Sequence, residues 1–97
     1  MQYMKATLIY SRKEVRADGV IVQAVVWQLP GMSRERPHGY KYRFYCGRGG
    51  TCLVRYDNEA GKGDHRHYGS REEPYQFISL DRLIDDFYAD VARLAGG

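Results

Sequence analysis

Apolar positions fall first in short runs of strand length and then, from residue 79 on, at helical spacings of three and four. Residues 5–12, Lys-Ala-Thr-Leu-Ile-Tyr-Ser-Arg, read as a first strand. Asp18-Gly19 marks a turn, where Gly19's freedom at positive φ suits a hairpin return. Residues 20–28, Val-Ile-Val-Gln-Ala-Val-Val-Trp-Gln, are β-branched and almost continuously apolar. That predicts a central strand covered on much of both faces, with Trp27 in the core. Pro30-Gly31 ends it, and a charged loop runs through Pro37.

Residues 39–46 and 51–57 predict a second hairpin around Gly47-Arg48-Gly49-Gly50. A period of two puts Tyr42, Phe44 and Cys46 on one face with Cys52, Val54 and Tyr56. Lys41, Arg43 and Tyr45 take the other face with Leu53, Arg55 and Asp57. Setting residue 44 opposite 54 places Arg43 opposite Arg55 and Lys41 opposite Asp57. Like charges so opposed are destabilising unless an anion lies between them, so this register predicts an anion site. A slip of one residue removes it.

Residues 58–74 are a long polar connection, with room for a short strand near 66–68. Residues 79–94 read as a helix with Ser79 as N-cap and Asp81 at its positive start. Leu80, Leu83, Ile84, Phe87, Val91 and Leu94 make one apolar stripe. Asp85, Asp86, Asp90 and Arg93 lie opposite, on a face expected to be wet. The result is an α+β domain spanning 1–97, with its core roughly at 4–95. It is a four- to five-stranded, mainly antiparallel sheet with one C-terminal helix packed on one face.

Size agrees, because 97 residues leave no room for a second core. No apolar run reaches the roughly 20 residues of a membrane span, and no secretory signal is evident. A soluble cytoplasmic protein is expected. Cys46 and Cys52 lack further ligands at zinc-finger spacing and are expected as reduced thiols. The net charge of +3 hides an asymmetry. Residues 1–56 carry ten Lys/Arg against three Asp/Glu, and residues 57–97 carry five against nine. A basic first half suits an anionic partner such as nucleic acid.

The densest chemistry lies at Arg55-Tyr-Asp-Asn-Glu-Ala-Gly-Lys-Gly-Asp-His-Arg-His-Tyr68. If extended, His65 and His67 point the same way with Cβ atoms roughly 6–7 Å apart, since each residue rises about 3.3 Å. Two imidazoles so placed flank a phosphodiester, one taking the 2′-hydroxyl proton and the other protonating the departing 5′-oxygen. Asp57 and Lys62 join them as catalytic candidates. Arg43, Arg55, Arg66 and Lys41 are candidate phosphate ligands, and Tyr45 a base-stacking residue. No metal and no cofactor are required by this chemistry. The alternative is a His-x-His metal pair completed by Asp57 or Asp64. Gly61-Lys62-Gly63 lacks P-loop spacing, so its glycines serve the turn and Lys62 supplies a point charge. Asn58 is expected to organise that turn through backbone hydrogen bonds.

Several blocks together resemble the TumE family. They are Trp27-Gln28, His38-Gly39-Tyr40-Lys41-Tyr42-Arg43, Tyr56-Asp57-Asn58-Glu59, Gly61-Lys62-Gly63-Asp64-His65-Arg66-His67 and Glu73-Pro74-Tyr75. The resemblance runs from Met4 onward. It implies the toxin half of a toxin–antitoxin module whose partner is a helix-turn-helix antitoxin. With the residues, it points to an endoribonuclease acting on RNA. The rivals are a non-catalytic RNA- or protein-binding inhibitor and a toxin that transfers a nucleotide or other group. Whether the chain pairs with itself stays open.

Overall fold

The computed structural model describes residues 6–59 and 61–96. Six strands follow one another in a single antiparallel meander. They are β1 (Thr7–Val15), β2 (Val20–Gln28), β3 (Tyr40–Arg48), β4 (Thr51–Asp57), β5 (His65–Tyr68) and β6 (Arg71–Pro74). One helix, α1 (Leu80–Ala95), crosses β3 and β4 on one face. Among the described residues no helix is long and apolar enough to cross a membrane.

The extra strand comes from the polar connection. Residues 65–74 form a tight hairpin turning at Gly69, whose φ of 62° suits glycine. The short strand expected near 66–68 is β5, while the charged β6 carries no apolar alternation that pattern could find.

The β2 strand is covered on one face only. Val20, Val22, Ala24 and Val26 are buried, and the residues between them face the other way. Trp27 therefore leaves the expected core. It lies half-buried on the face away from the helix, with Lys41 Nζ 5.7 Å from its ring centroid.

The β3–β4 register also differs from expectation, by two residues. Arg43 faces Asp57, Phe44 faces Tyr56 and Tyr45 faces Arg55. The two-residue turn that pairs Arg48 with Thr51 accounts for one residue of this and a bulge beside Gly47 for the other. Cys46 pairs with Val54 and Gly47 with Cys52, leaving Leu53 as the extra residue. Cys52 thereby joins the Tyr45 face while Leu53 packs on the core. A shift of two preserves the other faces, but the Arg43–Arg55 opposition does not exist. Only glycine fits at 47, where an added Cβ would meet Tyr45 Cζ at 2.6 Å and Thr51 O at 2.8 Å. Both cysteines are free.

Ser79 caps the helix, its hydroxyl accepting from Arg82 N at 3.1 Å. Leu83, Phe87, Val91 and Ala95 are buried against Phe44 and Tyr56 of the sheet. Asp90 is not on a wet face. It is buried, accepting the Tyr56 and Tyr68 hydroxyls at 2.6 Å each, with Arg93 at 2.8 Å. At the helix end Arg16 donates to the Gly96 carbonyl at 2.8 Å, where the dipole favours a cation.

Candidate active site

The face away from the helix gathers the charged chemistry. In β4–β5, Asp57 lies opposite His65 and Arg55 opposite His67, so all four side chains share one side. Two anchors hold the connecting loop to this register. Asn58, 1% exposed, accepts from Tyr42 N at 3.0 Å and donates to Tyr40 O at 2.8 Å. Asp64 accepts the Tyr42 hydroxyl at 2.6 Å and bonds His38 Nε2 at 3.0 Å, with Phe77 stacked 3.9 Å from the His38 ring. Asn58 bonds backbone groups as expected, but those of β3 rather than those of the turn it was expected to organise. The His38–Asp64–Tyr42 cluster was not foreseen, since its members lie far apart in sequence.

His65 Nδ1 donates to the Gly63 carbonyl at 2.9 Å, which leaves Nε2 facing Asp57 Oδ1 at 2.6 Å. The contact is an ion-pair approach, and neither Asp57 Oδ1 nor Arg55 Nε makes a hydrogen bond of good geometry. Asp57 Oδ1 is thus a buried acceptor left without a hydrogen bond, which carries a cost in a candidate site. Arg55 bridges the pair to His67. Its Nε is 3.0 Å from Asp57 Oδ2, and its Nη2 donates to His67 Nε2 at 3.0 Å. A guanidinium only donates, so His67 Nε2 presents its lone pair and the ring is neutral. The two imidazoles meet edge to face with centroids 5.0 Å apart.

Burial, and after it the Arg55 charge, hold the His67 pKa below its ordinary 6.5, and Glu72 only partly opposes them. Because the folded value is depressed, the unfolded chain takes up the proton first as pH falls. Stability from neutral His67 is thus complete above pH 6.5 and is lost as pH drops through the folded value. Melting temperature measured against pH is expected to show this acid-side fall, and His67→Gln to flatten it.

A cleft of about 170 Å³ opens on the sheet surface, lined by Lys41, Tyr42, Arg43, Arg55, Asp57 and Glu59. Lys41 and Arg43 are exposed there and form no ion pair among the described residues. Asp57 reaches the cleft directly. His65, 4% exposed, lies behind Asp57, and His67 lies behind Arg55. The expected flanking of a substrate by both rings is thus modified, because Asp57 stands between His65 and the opening. Tyr45 is half-buried beside Arg55.

Two expected members are elsewhere. Arg66, between the histidines in sequence, points to the helix face, as the period of two requires. It donates to Glu73 Oε1 at 2.7 Å and lies among the Tyr56, Tyr68 and Tyr75 rings. Its guanidinium is thus engaged on the helix face, away from this cleft. Lys62 sits on an exposed turn closed by its N–H to Glu59 O, with no side-chain contact to the cluster among the described residues.

Asp57, His65 and His67 also offer three metal-ligand atoms within 4.8 Å of one another. The carboxylate is Asp57, because Asp64 is committed to His38 and Tyr42. The donor set suits a zinc-class ion, but Arg55 already contacts two of its members. A metal there must displace a guanidinium.

The family model described as Toxin TumE matches residues 4–95. No curated protein and no solved structure matches the chain.

Proposed function

The chain belongs to the TumE toxin family, and from that membership and the cleft's chemistry we propose a toxin of a toxin–antitoxin module that cleaves RNA without a metal. The observation that carries this reading is the bridge made by Arg55 between the Asp57–His65 pair and His67. In this reading the Asp57–His65 side supplies a proton and His67 accepts one. General acid–base cleavage needs that combination.

A phosphodiester entering the cleft meets Lys41, Arg43 and Arg55. Arg55 turns from His67 to a phosphoryl oxygen, a bidentate partner suited to its fork. That frees His67 Nε2, which takes the proton of the ribose 2′-hydroxyl. The 2′-oxygen bonds to phosphorus, the bond from phosphorus to the 5′-oxygen breaks, and that oxygen receives the proton supplied by the Asp57–His65 side. The products are a 2′,3′-cyclic phosphate and a 5′-hydroxyl. His65 acts through Asp57 as a positioning residue, held by the Gly63 carbonyl.

Purified protein incubated with total RNA in excess chelator is expected to release cyclic-phosphate ends with many turnovers. Cleavage that requires added zinc-class ions would move the chemistry to the Asp57–His65–His67 donor set. The burial of His65 and the partial burial of His67 favour a second reading, an inhibitor acting by occupancy. Stoichiometric RNA binding without new ends would establish it in place of the first. Release of label from ATP onto RNA would point to group transfer.

A toxin of this family has an antitoxin as partner. We place a helix-turn-helix protein in that role. Its docking surface would be the acidic outer side of α1, with Asp81 and Asp85 exposed.

A further inference from the structure

We infer that the open face of β1–β3 is a stacking platform for an unpaired strand, feeding the cleft from one side. This deepens the ribonuclease reading by naming its substrate as single-stranded. A groove of about 360 Å³ lies there, lined chiefly by Lys13, Gln23, Val25, Trp27, Arg43 and Tyr45. Arg43 lines both this groove and the cleft, so the two form one continuous surface.

The placement of the aromatics is the informative part. Trp27 and Tyr45 stand on the solvent side of the sheet, where no helix covers them, yet both are only half-exposed. Tyr45 lies over Gly47, and an added Cβ at 47 would collide with its ring. That close approach lays the Tyr45 ring against the sheet at the edge of the groove. Lys41 approaches the Trp27 ring at 5.7 Å. Lys13, paired with Gln23, adds a further cation on this side. Flat rings ringed by unpaired cations suit bases stacking while phosphates contact the Lys and Arg heads. A duplex hides its base faces and cannot use such rings. Charge selects the occupant, because the groove is lined by Arg12, Lys13 and Arg43 and, among the described residues, by no carboxylate.

Strand spacing gives the geometry. Trp27 on β2 pairs with Lys41 and Asp57 on β4 with Arg43, so they are two strands and two residues apart, roughly 12 Å at about 4.8 Å per strand and 3.3 Å per residue. A base on Trp27 therefore belongs to a nucleotide neighbouring the scissile one. Gln23 lies at the Tyr45 end, where its amide can pair with a base edge.

Trp27 is the chain's only tryptophan, so its fluorescence reports on the platform alone. The probe is a short 2′-O-methyl RNA oligonucleotide, whose blocked 2′-oxygen prevents cleavage. Titration into full-length protein is expected to quench Trp27, and the same sequence annealed to its complement to quench little. Tyr45→Ala is expected to weaken single-strand binding about ten- to hundredfold. Arg43→Glu should weaken it too and lower its salt dependence. Equal quenching by single and double strands, or none, overturns the inference. Quenching by the antitoxin but by no oligonucleotide also overturns it and assigns the face to a protein. Quenching by single strands from a protein that never cleaves RNA leaves the platform standing and removes the nuclease. Cleavage without quenching does the reverse.

Discussion

His67→Ala is expected to lower RNA cleavage by about 10²–10⁴-fold, the usual contribution of a positioned acid or base, and to relieve growth arrest. Its melting temperature should stay close to the parent's, because no buried charge is stranded. Arg55 keeps its contact with Asp57, and Glu72 is largely solvated. His65→Ala removes activity by another route. It strands the Gly63 carbonyl and leaves Asp57 without its partner, so fold and chemistry both suffer. His65→Gln, which keeps a donor toward the carbonyl, separates them: the fold should recover while cleavage does not. Single-turnover rates and thermal melts of the three variants provide the check. Full toxicity in all three would remove proton transfer by these rings from the account.

Much of this arrangement was legible in the chain, and what was not has a physical reason. The period of two placed Lys41, Arg43, Tyr45, Arg55 and Asp57 on one face, and that assignment holds because the register error was two residues rather than one. The turn at Gly49-Gly50 and the bulge at Gly47, where Tyr45 lies over the backbone, each moved the register by one residue, and alternation expresses neither. Trp27 was assigned to the core because apolar runs suggest two covered faces, whereas the single helix covers only one. Arg66 illustrates a rule applied to one residue and not its neighbour: if His65 and His67 share a side, the residue between them is on the other. Asp90 was read as solvated because its tyrosine partners come from β4 and β5, more than twenty positions away. The β6 strand gave no apolar pattern, as it is held to β5 by paired charges such as Arg66–Glu73. Helix limits and the Ser79 cap rest on local rules and were accurately placed.

The Asp57-Asn58 dipeptide divides chemistry from architecture, so Asn58→Ala should fail in a different way from His67→Ala. Asn58 closes both orphan groups at the end of β3, receiving Tyr42 N and donating to Tyr40 O. At 1% exposure, water cannot substitute for it. Each stranded buried group costs about 1–3 kcal/mol, so the variant is expected to lose about 2–4 kcal/mol. For a domain of this size each kcal/mol shifts the midpoint by roughly 4–8 °C, and the melt should fall accordingly. Asn58→Asp restores the acceptor toward Tyr42 N, but sets a carboxylate against the Tyr40 carbonyl, and should recover only part. What remains folded keeps Asp57, Arg55 and both imidazoles, because their pairing across β4–β5 does not pass through the Asn58 side chain. Cleavage per folded molecule, measured well below the midpoint, should therefore stay within a few-fold of the parent. A large loss of that specific rate in a fully folded Asn58→Ala protein would show that the clamp sets the geometry of the cleft as well as its stability.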